Sequence, residues 1–429
     1  MQPNHRHARV GFVGTRFSGT DGVSLETQKW AQVLEADGHE CFYFAGTVDI
    51  PAERAYVVPE ASFKHPEIEQ LTVTLFDEYS RSPRISASIV RLKDHLKAHL
   101  LRFVEQFGID LFIVENALSL PMNVPLGLAL TEYLAESGRP TLAHHHDFFW
   151  ERRRYLRSAA TDYLRAAFPP VLPCIHNVVI NSYAAAQLAM RTGASSTLIP
   201  NVMDFEHGDI QDPDDHYADD LRETLGIGPD QAFILQPTRI VPRKRIERAI
   251  ELVRRLDQNS VLVISHSAGD EGMAYAAYLR EYAALLEVPV VFAAEHFHAR
   301  RRRGPGGQKI YSLADAYRQA DLITYPSLIE GFGNAFLEAV YYRKPIVMSH
   351  YEIYFTDIEP QGFRLIGFDD YIDDATVEQA RRALEDPAFT QAMIEHNYGL
   401  GRRYYSYRVL EEKLHGLMSA YRAGLPARP

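Results

Sequence analysis

The chain is predicted to fold as α/β, with two parallel-sheet units, and three observations support this. Short apolar runs such as Arg9-Val-Gly-Phe-Val-Gly14, Asp110-Leu-Phe-Ile-Val-Glu115 and Ala232-Phe-Ile-Leu-Gln236 alternate with longer stretches of helical period, the pattern of strand–helix–strand units. Several of these runs open into loops rich in glycine, polar or basic residues, at the strand ends where open α/β sheets bind ligands. An acidic, low-complexity segment, Asp209 to Asp220, reads as a linker and puts a boundary near residue 205. The expected units are 1–205, joined by a terminal segment 404–429, and 206–403.

Composition narrows the class. The 429 residues suit two or three domains, and 46% hydrophobic residues can fill sizeable cores. A net charge of −11 argues against a general nucleic-acid binder. Two cysteines, Cys41 and Cys174, make no disulfide framework and favour a reducing, cytoplasmic setting. No signal-peptide core follows Met1, and no stretch of about 18 apolar residues occurs, so no membrane span is expected.

In order, Arg9 to Gly14 reads as a buried strand, followed by the loop Thr15 to Val23, a helix from about Ser24 to Asp37, and a second strand, His39 to Ala45. Gly22 falls in the loop at the carboxyl end of the first strand. Residues 51–84 carry weak signals and read as a variable insertion. Helical spacing from Ser86 to Phe107 leads to the strand Asp110 to Glu115. A later strand ends in His144-His-His-Asp-Phe-Phe-Trp-Glu-Arg-Arg-Arg154. Neighbours on an extended segment alternate faces, so three successive histidines do not readily converge on one ion, and no metal site is expected. Pro173 to Ser182 and Ser196 to Asp204 complete the first half.

The second half begins at Ala232 to Gln236, whose strand opens into the basic loop Thr238-Arg-Ile-Val-Pro-Arg-Lys-Arg245 before a helix, Ile246 to Leu256. Strands at Val261 to Ser265 and Val288 to Ala293 flank another helix. Arg300 to Gly307 reads as a basic, flexible loop. A strand, Leu322 to Tyr325, then precedes Ser327-Leu-Ile-Glu-Gly-Phe-Gly-Asn-Ala-Phe-Leu-Glu-Ala-Val340. With Asn334 as helix N-cap, Glu330 lies in the loop and Glu338 in the helix. Glycines 331 and 333 let a ligand approach the backbone, and the first-turn N–H groups favour an anion such as a diphosphate. Two carboxylates at this spacing can accept hydrogen bonds from hydroxyls on one ligand, implying a nucleoside diphosphate that carries a sugar.

The stretch from Pro326 to Val347 resembles the Glu-x7-Glu signature of retaining glycosyltransferases of family 4, which have the GT-B fold: two Rossmann-like domains facing across a cleft, with a last helix crossing back. The resemblance implies that Glu330 holds the donor sugar, Gly331, Phe332, Gly333 and Asn334 cradle sugar and phosphate, and Glu338 binds the ribose. It also implies that Arg239 and Lys244 grip the phosphates, Gly22 lies against the diphosphate, and His146, followed by Arg152, contacts the sugar. His144 shares that face, and the choice between them stays open. Ser196-Thr-Leu-Ile-Pro-Asn-Val-Met-Asp204 is similar to the family's exit from the first domain, and Tyr404 to Tyr421 to its crossover helix.

Transfer from such a donor requires charge to grow on the β-phosphate as the sugar becomes oxocarbenium-like. Arg239, Lys244 and the helix N-terminus can carry that charge, so neither a divalent metal nor a tightly bound cofactor is expected. The resemblance implies retention by front-face attack. The partners implied are a nucleotide-sugar donor and a small polar acceptor. Thr15 to Glu26 and His144 to Arg152 resemble bacterial family members that join mannose from GDP-mannose to an anionic glucoside, glucosylglycerate being the expected acceptor. A UDP-glucose-type donor, a sucrose-phosphate-synthase-like acceptor and a sugar-nucleotide 2-epimerase remain as alternatives. A glycosidase would leave the phosphate-binding surroundings without purpose, and Gly11, Gly14 and Gly19 do not have nicotinamide-dinucleotide spacing.

Overall fold

The computed structural model describes residues 7–19, 22–208, 216–268 and 273–423. It divides into two compact units, Met1–Pro200 with Leu410–Pro429, and Asn201–Val409. The first division falls five residues before the position read from the sequence.

In the first unit, β1 (Arg9–Val13), β2 (Glu40–Ala45), β3 (Ala55–Val57), β4 (Leu111–Glu115), β5 (Thr141–His145), β6 (Ile175–Val179) and β7 (Ser196–Leu198) form one sheet, in the order β3-β2-β1-β4-β5-β6-β7. Every pairing is parallel. The strand order reverses between β1 and β4, so the loops after these two strands part and leave a crevice at their carboxyl ends. β4 and β5 are buried throughout because helices cover both faces of a parallel sheet. Leu96 and Phe103 of the helix Pro83–Phe107 pack with Phe44, Phe112 and Val114 of the sheet in the core.

In the second unit, β8 (Ala232–Gln236), β9 (Ser260–Ile264), β10 (Val290–Phe292), β11 (Phe297–His298), β12 (Arg302–Arg303), β13 (Lys309–Ser312), β14 (Leu322–Tyr325), β15 (Ile346–Ser349) and β16 (Ile366–Phe368) follow in chain order. Six of them make a parallel sheet, β10-β9-β8-β14-β15-β16, and β11, β13 and β12 make a small separate one. Its switch point lies between β8 and β14, where the basic loop and the Glu-x7-Glu loop emerge side by side. The helix Ile246–Leu256 has the bounds its period predicts, and packs Ile246, Ile250 and Val253 on Ile234, Leu262 and Leu322.

The structure corrects several local expectations. The first helix runs Gly22–Ala36, so Gly22 is a helical residue and Ser24 lies inside the first turn. Residues 51–84 are ordered as an edge strand, β3, and the helix Pro66–Asp77. The basic loop at 300–307 is not free: β12 pairs with β13, and Arg301 binds the buried Asp315 carboxylate at 3.0 Å. The terminal segment is two helices, Pro387–Tyr404 and Tyr407–Ala423, the second anchored in the first unit by the Tyr421 hydroxyl donating to the Asp110 carbonyl at 3.0 Å. Of the acidic linker, residues 209–215 lie outside the described residues, as does Asp21. No helix among the described residues is long and apolar enough to cross a membrane.

Candidate active site

At the switch point of the second unit, the loops after β8 and β14 are laced together. The Leu328 N–H donates to the Arg243 carbonyl at 2.8 Å, and Arg245 Nε donates to the Pro326 carbonyl at 3.1 Å. Beneath them, Thr324 Oγ1 donates to Gln236 Oε1 at 2.8 Å, tying the two strand ends. This frame brings Lys244 onto Glu330: Lys244 Nζ donates to Oε1, and Arg243 Nη1 lies 3.4 Å from Oε2. Only 9% of the Lys244 side chain and 11% of the Glu330 side chain are exposed. Burial alone would push the Glu330 carboxyl up, but Lys244 and Arg243 reverse this and hold it below the usual glutamate range. Glu330 therefore stays a carboxylate, suited to accepting hydrogen bonds.

Arg239 is exposed at the start of the same loop. Its charge reaches both Lys244 and His266; burial first, then Arg239 and Lys244, bring the His266 imidazole down to about 4. The site is thus a concentration of positive charge next to a neutral histidine, held by Ser265 Oγ at 2.9 Å from Nδ1.

The helix expected to begin after Asn334 starts at Asn334 itself, spanning Asn334–Tyr341. Gly333 takes the cap position with φ 118°, and no side chain caps the helix. Asn334 instead accepts at Oδ1 from Asn201 Nδ2 at 2.7 Å, tying the Pro-Asn-x-x-Asp segment to the helix start. A Cβ at Gly333 would lie 2.1 Å from the Tyr351 hydroxyl, which donates to the Phe332 carbonyl at 2.8 Å. The glycine is therefore required by both backbone conformation and space. Phe332 is buried against Tyr405, so its backbone, and not its ring, is what the loop can offer a ligand. Glu338, one turn into the helix, accepts from the Tyr317 hydroxyl at 2.7 Å. The two carboxylates thus have separate partners.

In the first unit, Gly22 opens the helix whose Trp30 stacks on His144, ring centroids 4.2 Å apart. β5 pairs with β4 in a register that sets His144 beside Glu115. His144 Nδ1 lies 3.0 Å from Glu115 Oε2, and His146 Nε2 lies 3.1 Å from the same oxygen. The three donor atoms all lie within 4.8 Å of one another. Alternation of faces does send His145 away, to Asn177 Oδ1 at 2.9 Å, where burial brings its imidazole down to about 4. His144 and His146 share the other face, as the alternation implies, and what the sequence reading missed is Glu115, which the neighbouring strand sets against both. Asn116, at φ 57°, accepts the His146 N–H on Oδ1 at 2.7 Å. Arg152 pairs with Asp147 at 2.6 Å.

The sequence reading also missed Arg243, His266, Tyr317, Tyr351 and Asn201. The one available signal was position, since Arg243 and His266 lie just past the carboxyl ends of predicted strands.

Two parallel α/β units, each with charged or titratable groups at its switch point, make an α/β fold of the GT-B type. The profile of a family described as Glycosyl transferases group 1 matches residues 304–399. Mannosylglucosylglycerate synthase of Thermotoga maritima is 30% identical over 443 residues, covering 95% of this chain and 98% of that protein. Sucrose-phosphate synthase of Thermosynechococcus elongatus superposes with TM-score 0.67 at 15% identity, over 98% of this chain and 100% of that one. The Anabaena protein HepE, solved in complex with UDP-glucose, gives TM-score 0.65 at 12% identity over 96% and 100%. The chain belongs to the family 4 type of glycosyltransferases, and is a hexosyltransferase.

Proposed function

We propose that the chain is a retaining glycosyltransferase that moves a hexose from a nucleoside-diphosphate sugar, of the GDP-mannose or UDP-glucose type, to a hydroxyl of a small polar acceptor such as glucosylglycerate. The single observation that supports this most is the Lys244–Glu330 pair set beside an uncapped, glycine-led helix start. The cation and the amides suit a diphosphate, and the carboxylate suits sugar hydroxyls. The named relative, similar along 95% of the chain, supports mannose as the sugar and a glucosylglycerate acceptor; HepE, solved with UDP-glucose, supports a sugar-nucleotide donor.

In this reading Glu330 holds the donor sugar and Glu338 the ribose hydroxyls, and the family resemblance gives His146 and Gly22 as further donor contacts. Arg239, Lys244 and the amides of Gly331 to Asn334 stabilise the charge that grows on the β-phosphate as the bond to carbon breaks. Each preorganised donor of this kind contributes about 3 kcal/mol. The departing phosphate oxygen then accepts the proton of the attacking acceptor hydroxyl, so the new bond forms on the face the phosphate leaves. The residues supply the positive charge this chemistry needs, and activity is expected to persist in EDTA. The test is a donor panel by calorimetry, followed by mass spectrometry of products with glucosylglycerate and simple sugars, and by NMR of the anomeric configuration. Release of free sugar only with every acceptor, or an epimerised sugar from donor alone, would overturn it.

A further inference from the structure

The Glu115 carboxylate is fully buried in the first unit, where an unpaired charge would cost several kcal/mol. Its partners are two imidazoles, His144 on the neighbouring strand and His146 just past its end, and they differ in what they have left to offer. His144 is sealed: Trp30 stacks on it, and its Nε2 is buried without a partner. His146 has its backbone N–H fixed by Asn116 and its Nε2 committed to Glu115, which leaves Nδ1 as the nitrogen open to a ligand.

We propose that Glu115 is a positioning residue for sugar transfer: by accepting the Nε2–H of His146, it fixes the ring's tautomer and orientation so that Nδ1 faces the oxygen-rich ligand. The carboxylate also favours the imidazolium, in which Nδ1–H donates to a sugar hydroxyl or a phosphate oxygen. Burial works against that charge, whereas Glu115, then Glu26 of the first helix and Asp147 on the following residue, hold the His146 imidazole above its usual range. His144 and His145 are the other titratable groups against it, and both imidazoles are lowered, chiefly by burial, so they stay neutral. Glu115 thus favours the charged form of both imidazoles; burial outweighs it at His144 and does not at His146. The inference rests on the reading of His146 as a contact of the donor sugar.

The test uses the full chain, wild type against Glu115→Gln and Glu115→Asp. Long-range 15N spectra of histidine-labelled protein, assigned with His146→Gln, report the His146 tautomer directly and without turnover. The wild type should carry its proton on Nε2 and titrate above the usual histidine range, and Glu115→Gln should lower that titration. Kinetics with GDP-mannose or UDP-glucose and glucosylglycerate should show kcat reduced about ten- to a hundredfold in Glu115→Gln. Its basic limb should move to lower pH, with GDP or UDP affinity unchanged and Glu115→Asp partly restoring the rate. A wild-type His146 protonated on Nδ1 alone, or Glu115→Gln with kcat within twofold and an unmoved titration, overturns the proposal. So does a stoichiometric transition metal held by the wild type and lost from Glu115→Gln. If Glu115→Gln does not fold, the wild-type spectrum and Glu115→Asp still decide. If the wild type transfers no sugar from either donor, the functional reading fails, while the spectra still settle the role of Glu115 toward His146.

Discussion

Replacing Lys244 with methionine tests the most heavily used contact in the second unit. The substitution keeps the stem length and removes the ammonium from a pair whose side chains are only 9% and 11% exposed. Breaking a buried pair costs roughly 3–5 kcal/mol, but Arg243 remains 3.4 Å from Glu330 as a second partner. The expected loss is therefore about 2 kcal/mol, a fall of roughly 4–8 °C in Tm for a unit of this size. Glu330's carboxyl is depressed in the fold, so its pairing contributes stability above the ordinary glutamate range and loses it as pH falls through the folded value. The stability gap between wild type and Lys244→Met should accordingly close as pH falls below about 4.5. Catalysis should lose one of the charge-stabilising donors, about 3 kcal/mol or roughly 150-fold in kcat. The double variant Lys244→Met with Glu330→Gln separates the two effects: no orphan charge remains, so Tm should recover, but kcat should not. A Lys244→Met enzyme within threefold of the wild-type kcat, or a Tm deficit undiminished in the double variant, would refute the reasoning.

Gly333→Ala should be strongly destabilising, by about 3 kcal/mol or more, because φ 118° is strained for alanine and its methyl would meet the Tyr351 hydroxyl; Tyr351→Phe should relieve part of this in urea unfolding. Tyr317→Phe removes a 2.7 Å hydrogen bond to Glu338 and should raise donor KM severalfold with kcat little changed, as expected if Glu338 holds the ribose. His145 binds its proton in the unfolded chain near 6.5 but in the fold only near 4, so stability should fall by up to about 3 kcal/mol as pH drops between those values. His145→Gln should flatten that part of the curve, measured by urea unfolding at pH 7, 6 and 5.

Much of the fold was legible because a parallel sheet covered by helices writes itself as apolar runs between helical periods. The helix Ile246–Leu256 was legible to its last residue, since its apolar stripe and its neighbours agree. Errors gathered where local preference and tertiary demand diverge. Asn334 is a good N-cap by type, yet Gly333 takes the position at φ 118°, and the Asn334 side chain accepts from Asn201 instead. The arginines at 300–303 look like a solvated run, but a buried carboxylate, Asp315, holds Arg301. The two extra residues at the start of the first helix, Gly22 and Val23, had no sequence signal of their own.

By itself the sequence determined the kind of chemistry: two glutamates with seven residues between them around a glycine turn, a basic loop at a strand end, and histidines at another. What it could not determine was which of these groups meet. Lys244 reaches Glu330 across 86 residues, and Glu115 reaches His146 across 31, because parallel strands lay their carboxyl ends at one edge of a sheet in a fixed register. Register depends on packing between strands distant in sequence, so the ionic pairings, and with them the charge state of each side chain, were decided only in the folded structure.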